Sequence, residues 1–118
     1  SPTPYAAMIT KQMGLMDFTK SAEELERLVR GMNPWPSAHT FLNGKTLKVW
    51  DSYVSREETH AVPGTVIRTD RDGIHTACGQ NVLVLTEVQL EGKKRMKTDA
   101  FLRGYTIEEG TRFTDRKE

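Results

Sequence analysis

The nine residues VLVLTEVQL, at positions 82–90, constrain the fold more than any other stretch of this chain. Apolar residues recur at every second position, which is the period of a β-strand. One face of the predicted strand carries mainly apolar side chains, and the opposite face gains apolar character from Leu83 and Leu85. The residues predicted to share the first face are Val82, Val84, Thr86, Val88 and Leu90.

Two hairpins are predicted before this strand. The first joins the strands HTFLN and KTLKVWDSYV and turns at Asn43-Gly44, a dipeptide that strongly favours a two-residue hairpin turn. The second joins the strands GTVIRT and IHTAC through the turn DRDG. Residues 79–81, Gly-Gln-Asn, predict the turn into the long strand. Five or more short strands joined by Gly-containing turns favour a small barrel or a sandwich.

A helix is predicted at about residues 22–31, ahead of strands that begin at about residue 39. Ser21 and Glu24 have the spacing of a capping box. Gly31 or Asn33 is expected to end the helix in a left-handed conformation, since Pro34 prevents its continuation. The apolar residues at helical spacing, which define the buried face, are Leu25, Leu28, Val29 and Met32.

The remaining segments carry weaker patterns. The prolines on either side of Trp35 predict a stiff, extended connector, in which Trp35 covers the core, with base stacking as the alternative. Residues 98–104 predict a short helical turn capped by Thr98 and closed by Gly104. Residues 111–113 predict a last strand.

Composition limits the class of protein. The 118 residues are enough for one domain, and 36% hydrophobic with 28% charged residues is typical of a globular chain. No apolar run approaches the roughly 20 residues of a membrane helix. Cys78 is the only cysteine, so no disulfide framework is expected and a reducing cytoplasmic location is favoured. The start at Ser1 suggests a fragment or a processed chain.

Catalytic and metal motifs are not found in the sequence. Glu57 and His60 have a ligand spacing but lie in a polar loop without a second copy. Residues 70–73, Asp-Arg-Asp-Gly, begin like a calcium loop, yet the later ligands are missing and a hairpin turn explains them. Cys78 lies in an apolar strand, where a thiol is usually inert. We therefore expect no catalytic residue and no metal ligand in this chain.

A basic cluster points to binding instead. Residues 93–103 hold five basic residues against Asp99 alone. Lysine and arginine on a loop beside a rigid barrel can bind nucleic-acid phosphates without reading bases. The alternative is a solvated charged turn.

Together these residues resemble the C-terminal domain of methionyl-tRNA formyltransferases. The likeness rests on SAEELERLVRGMNPWPSA, on GKTLKVWDS and on PGTVIRTDRDGIHTACGQNVLVLTEVQLEGKKRMKTDAFLRG, with TPYAAMITKQMGLMDF similar to the segment that joins the two domains. The resemblance implies a mainly β fold, a small open OB-like antiparallel barrel at residues 21–118. Residues 1–20 would be an interdomain linker.

The same resemblance implies a role. The parent enzyme transfers a formyl group from 10-formyltetrahydrofolate to the methionine of initiator methionyl-tRNA. Its catalytic residues lie in an N-terminal domain with no counterpart here, so this chain alone is expected to be inactive and to hold no cofactor. The expected partners are initiator tRNA and that N-terminal domain, in a cytoplasmic monomer without a membrane contact. The alternative is a scaffold barrel of a related formyltransferase that binds no tRNA.

Eight basic residues are candidates for tRNA contact. The lysine-rich block of the family is matched by Lys93, Lys94 and Arg95, and near it stand Lys97 and Arg103. On the first hairpin lie Lys45 and Lys48, and in the linker lies Lys11.

Overall fold

The computed structural model describes residues 11–117, apart from the side chain of Lys11. Within this range a 3₁₀ turn (Lys11–Gly14) precedes helix α1 (Ala22–Met32), and helix α2 (Thr98–Gly104) follows the last strand. None of these helices has the length and apolar character of a membrane span. The strands are β1 (His39–Leu42), β2 (Lys45–Ser55), β3 (Val66–Asp70), β4 (Gly73–Ala77), β5 (Val82–Leu90) and β6 (Met96–Lys97).

Helix α1 begins as predicted. The backbone N–H of Glu24 donates to Ser21 Oγ at 3.1 Å, and the N–H of Ser21 donates to Glu24 Oε1 at 3.1 Å. This capping box satisfies donors that the first turn leaves without partners. Leu25 and Val29 bury the apolar face.

The end of helix α1 differs from the prediction. Neither Gly31 nor Asn33 is left-handed, and Asn33 is extended with φ −90°. Its side-chain amide donates instead to the carbonyl of Val29 at 2.7 Å and to that of Val49 at 3.1 Å. The amide closes the helix and ties it to strand β2, so no left-handed residue is needed.

The strands form one antiparallel sheet in the order β1-β2-β5-β4-β3, and β6 pairs with β5. Both predicted hairpins are present, with Asn43 and Gly44 left-handed at φ 52° and 81° in the first. No ladder of strand pairs joins β1 to β3 within the described residues, so the barrel is open. The prediction of a mainly β, open OB-like barrel is confirmed.

The side-chain alternation along β5 changes partway. The central core contains Leu83 and Leu85, and then Val88 and Leu90, which breaks the period of two. The pairing of β5 with β2 shifts register around Asp51, and an irregularity of this kind reverses which face a residue occupies. The predicted single face running from Val82 to Leu90 is therefore wrong.

The C-terminal segment does not form the predicted strand at residues 111–113. It makes two isolated bridges instead, between Thr114 and Phe41 of β1 and between Arg112 and Thr65 just before β3. Residues 110–113 hydrogen-bond with the backbone of residues 64–66, and Thr114 then exchanges two backbone hydrogen bonds with Phe41, so the segment crosses from one sheet edge to the other. Phe113 is buried and stacks on Phe18, with 5.7 Å between the ring centroids.

Helix α2 also begins differently. Lys97 is its N-cap and makes no side-chain cap, whereas Thr98 is the first helical residue and is buried. The hydroxyl of Thr98 donates to the carbonyl of Thr86 at 3.4 Å, so it serves the contact with β5. Gly104 is the last helical residue and is not left-handed. The predicted Thr98 cap and Gly104 closure are both wrong.

The core is filled from the sheet, from helix α1 and from the segment before it. Met16 is 1% exposed and Phe18 is also buried, so the stretch interpreted as a linker packs against the barrel in its described part. Ile9, from the same stretch, lies outside the described residues. Phe101 attaches helix α2 to this core.

Candidate nucleic-acid interface

One surface of the barrel is formed by the outward side chains of β1, β2 and the second half of β5. Buried residues alternate with half-buried ones along β1 and the first part of β2, and the half-buried ones point away from the core. The pairing places His39 beside Lys48, and Lys48 beside Gln89. We call this surface the outer face; it comprises His39, Phe41, Thr46, Lys48, Trp50, Glu87 and Gln89.

Most of the predicted basic residues lie on the outer face or at its end. The turn after β5 is joined to the start of β2, because the N–H of Glu91 donates to the carbonyl of Thr46 at 2.8 Å and Glu91 Oε1 accepts from the N–H of Thr46 at 2.9 Å. This brings Lys45 to the same end of the barrel as Lys93 and Lys94. The sequence separates these residues by almost fifty positions, and the fold joins them.

Four of these lysines have no carboxylate within 4.0 Å among the residues that the structure describes. The three exposed ones are Lys45, Lys93 and Lys94, and the half-buried one is Lys48 on β2. Their charges are available to an anion.

Arg95 and Lys97 are engaged within the fold. Arg95 Nε donates to Glu87 Oε2 at 2.7 Å, and Lys97 Nζ lies 3.9 Å from Glu87 Oε1. The hydrogen bond from Arg95 holds the pKa of the Glu87 carboxyl below its ordinary value of 4.5. The guanidinium of Arg95 also lies over the Trp50 ring, 4.2 Å from its centroid. The carboxylate of Glu87 therefore neutralises part of the positive charge of Arg95 and Lys97.

Gln89 orders the turn that carries Lys93 and Lys94. Its Oε1 accepts from Trp50 Nε1 at 3.1 Å, and its Nε2 donates to the carbonyl of Lys93 at 3.1 Å. The N–H of Lys93 donates to the carbonyl of Leu90 at 2.8 Å. The basic turn is thus fixed to the sheet at its backbone, while the lysine side chains point into solvent.

Arg103 lies near the same end of the barrel. Asn43 Nδ2 donates to the hydroxyl of Tyr105 at 3.1 Å, which joins the end of helix α2 to the first hairpin turn. Arg103 precedes Tyr105 by two residues and lies 3.9 Å from Asp99, in a weak exposed pair. The side chain of Lys11, the remaining candidate, lies outside the described part of the chain.

Trp35 does not cover the core, because 59% of its surface is exposed. The segment around it is a turn rather than the predicted extended connector. The N–H of Ser37 donates to the carbonyl of Met32 at 2.8 Å, and Ser37 Oγ donates to the carbonyl of Pro34 at 2.6 Å. These bonds fold the segment back on itself and hold the indole at the surface.

A groove of about 680 Å³ opens beside Trp35. We call it the Trp35 groove. It overlaps the outer face, with which it shares five residues, namely His39, Phe41, Thr46, Lys48 and Gln89. Its walls come from the Trp35 turn, β1, β2, the turn after β5 and the C-terminal segment, and its main side chains are Leu15, Trp35, His39, Phe41, Lys48 and Arg116.

The other candidate clusters are explained by the fold. Asp70 Oδ1 accepts from the N–H groups of Asp72 and Gly73 and lies 2.9 Å from His75 Nε2. Asp70, Asp72 and His75 could together offer three metal ligands, but these contacts already account for Asp70 as the acceptor of a hairpin turn. The carboxylate of Glu57 accepts two hydrogen bonds from Arg68, at 2.8 and 2.7 Å, so both of its oxygens already have a partner.

Cys78 is the third candidate. Burial raises the pKa of its thiol to about 12, so the reactive thiolate is scarce at neutral pH.

Lys48 is the one outer-face residue among the sequence candidates. The missed residues that order the basic turn are Trp50, Glu87 and Gln89. The alternation in KTLKVW places Trp50 on the same face as Lys48, and this signal was available. Nothing in the sequence, however, shows that β5 lies beside β2. The partners of Trp50 could therefore be identified only from the fold.

Comparison with known proteins agrees with the fold. A family model described as formyl transferase, C-terminal domain, matches residues 8–106. HypX from Aquifex aeolicus, solved in complex with tetrahydrofolic acid, superposes with a TM-score of 0.64 over 88% of this chain and 21% of that chain, at 15% identity. At this identity the likeness supports the fold alone.

Two curated proteins share far more sequence identity with this chain than HypX does. The methionyl-tRNA formyltransferase of Lachnospira eligens is 52% identical over 115 residues, and that of Agathobacter rectalis is 49% identical over 110 residues. Each match covers 93% of this chain and 36% of the relative, so the chain spans about a third of their length. The resemblance seen in the sequence is confirmed: this chain belongs to the formyl transferase C-terminal domain family.

Proposed function

We propose that this chain is the C-terminal domain of a methionyl-tRNA formyltransferase, and that its outer face, together with the lysines at the end of that face, binds the tRNA backbone. The observation that carries this proposal is the grouping of Lys45, Lys93 and Lys94 at one end of the barrel, next to Lys48 on the outer face, without acidic partners among the described residues. Phosphate groups need positive potential and hydrogen-bond donors, and lysines on a rigid surface supply both.

The rest of the reaction is assigned to the part of the protein that precedes this chain in its relatives. That part would bind 10-formyltetrahydrofolate and carry the catalytic groups, and the enzyme would formylate initiator methionyl-tRNA in the cytoplasm. This chain would act as a monomeric binding domain that helps to hold the tRNA. It supplies no catalytic residue in this proposal.

Binding should be electrostatic and independent of base sequence, because lysine side chains contact phosphates rather than base edges. With about four phosphates neutralised, log affinity should fall with log salt concentration at a slope of roughly −3. Arg95 should add little to this slope, since Glu87 already pairs with it.

The test is a titration of labelled tRNA with the chain, followed by fluorescence anisotropy between about 50 and 200 mM salt. A double variant, Lys93→Ala with Lys94→Ala, should weaken binding and make the slope less steep by roughly two. Since both side chains are exposed and unpaired among residues 11–117, the variant should fold normally.

Lys20→Ala is the matched control. Lys20 precedes Ser21, which bridges to Gln80 just before β5 begins, so it lies roughly 25–30 Å from the turn after β5. This variant should bind tRNA like the unmodified chain. Equal binding by the double variant would overturn the assignment of the lysines. Absence of binding by the unmodified chain, even at low salt, would favour the scaffold alternative.

A further inference from the structure

We propose that the Trp35 groove receives one unpaired nucleotide of the bound RNA, with its base stacked on the Trp35 indole and its phosphate at Lys48. This inference rests on the proposed function, because it assumes that the outer face meets RNA. It adds a contact of a different kind, since the lysines hold phosphates whereas Trp35 would hold a base.

Trp35 has the properties of a stacking platform. Its ring is 59% exposed, and hydrogen bonds fix the chain on both sides of it. Asn33 is bound to the carbonyls of Val29 and Val49, and Ser37 is bound to that of Pro34. A rigid aromatic side chain loses little conformational freedom on binding, and every base offers it a π-face.

The lining of the groove suits both parts of a nucleotide. His39 and Phe41 are half-buried on β1, with their rings edge to face and 5.7 Å between centroids, and they provide an apolar wall. Lys48 lies beside His39 on the neighbouring strand and provides the cation. A volume of about 680 Å³ is sufficient for one nucleotide.

The charge balance of the groove favours an anion. Its two carboxylates are paired, Glu91 with Lys117 at 3.0 Å and Asp115 with Arg116 at 3.3 Å. Lys117 is not part of the lining, but it neutralises Glu91 from outside it. Lys48 is left without such a partner among the described residues, so the charges in and beside the groove sum to +1. An apolar segment of a protein partner would fit the aromatic side chains but would leave this cation unmatched.

Continuity with the outer face favours RNA as the occupant. Lys48 and Gln89 belong to both surfaces, and Gln89 also holds the carbonyl of Lys93. A strand of RNA that follows the lysines would therefore pass the mouth of the groove. An unpaired nucleotide at that point could turn into it without leaving the basic surface.

The first experiment measures tRNA affinity of Trp35→Leu, which keeps an apolar side chain but removes the large aromatic face. We expect it to bind tRNA roughly tenfold more weakly at a fixed salt concentration, with an unchanged salt slope. Trp35→Phe should recover part of the affinity because it restores a π-face. Lys48→Gln should instead make the salt slope less steep by about one.

The second experiment detects the stacked base directly. A single-stranded hexauridylate should quench the tryptophan fluorescence of the unmodified chain, and this quenching should be lost in Trp35→Leu, although Trp50 remains. A six-base-pair RNA duplex offers no unpaired base, so it should quench much less. Urea unfolding should be the same for Trp35→Leu and the unmodified chain, since the removed ring is exposed.

The outcomes separate this inference from the proposed function. If Trp35→Leu binds tRNA and quenches like the unmodified chain, the groove inference is overturned, and the groove is then better assigned to a protein partner. The proposed function would still stand if the Lys93→Ala and Lys94→Ala double variant lost affinity. If that double variant bound normally while Trp35→Leu bound weakly, the groove would be supported and the lysine surface would not.

Discussion

The guanidinium carbon of Arg95 lies 4.2 Å from the centroid of the Trp50 ring. On its other side, Arg95 Nε donates to Glu87 at 2.7 Å. One residue of the basic block is therefore held between an aromatic ring and a carboxylate, and it fastens the turn after β5 to the sheet. Lys93 and Lys94, its neighbours in sequence, make no such contacts within residues 11–117.

Arg95→Lys should lower the free energy of unfolding by roughly 0.5–1 kcal/mol, as measured by urea denaturation. Lysine keeps the charge, but it lacks the planar guanidinium that covers the Trp50 ring while donating to Glu87. Lys94→Ala is the control and should leave the unfolding midpoint unchanged. If both variants unfolded at the same urea concentration, the contact with Trp50 would have no stabilising role.

Glu87→Gln should make the stability of the protein less dependent on pH. The pKa of Glu87 is lowered by its hydrogen bond with Arg95, from an ordinary value of 4.5. The carboxylate therefore stabilises the folded chain above about pH 4.5, and this contribution is lost as the pH falls through the lowered pKa.

The expected loss in Glu87→Gln is roughly 0.5–1 kcal/mol near pH 7, since Arg95 is about half exposed and solvent screens the pair. It should shrink towards zero as the pH falls below the folded pKa. Glu109→Gln, at an exposed position without a cation within 4.0 Å among the described residues, should show little difference at any pH. A loss that stayed constant down to acid pH would rule out the ionised pair as its cause.

Local patterns were predicted well because neighbours in sequence decide them. The capping box of Ser21 and Glu24 and the Asn43-Gly44 turn depend on a few adjacent residues, and the structure shows both. The grouping of Lys45 with Lys93 could not be predicted, because it depends on which strands pair. The sequence shows that residues 93–97 are basic, but it does not show which of them have a carboxylate partner. The structure shows that Arg95 pairs with Glu87, whereas Lys93 and Lys94 have no such partner among the described residues.

Two of the errors have identifiable physical causes. Trp35 was expected to cover the core from a stiff connector between two prolines, yet hydrogen bonds made by Asn33 and Ser37 hold its turn at the surface. The alternation in β5 was extended through Thr86, whereas the register shift against β2 interrupts it. In β5 a contact between distant segments overrides the local preference, and at Trp35 the bonds within the turn act together with the bond from Asn33 to the carbonyl of Val49.

Cys78 should react very slowly with Ellman's reagent while the protein is folded. Its side chain is buried, and burial raises the thiol pKa from 9.0 to about 12. The thiolate fraction at neutral pH therefore falls by roughly a thousandfold, in addition to the lost access. The same chain in concentrated urea should react at the rate of a free thiol. Fast labelling of the folded protein would contradict the burial of Cys78.

Gly79→Ala should be among the most destabilising single substitutions in the turn before β5. The N–H of Gly79 donates to the carbonyl of Lys20 at 2.9 Å, and an added Cβ would collide with the backbone carbonyl of Thr19. Because backbone atoms cannot move aside cheaply, we expect a loss of roughly 3 kcal/mol by urea denaturation. Gly31→Ala is the matched control, since its Cβ would meet no atom within 4 Å and alanine favours the helix. It should raise stability by about 0.5 kcal/mol, and equal effects of the two substitutions would contradict the close packing of Gly79 on Thr19.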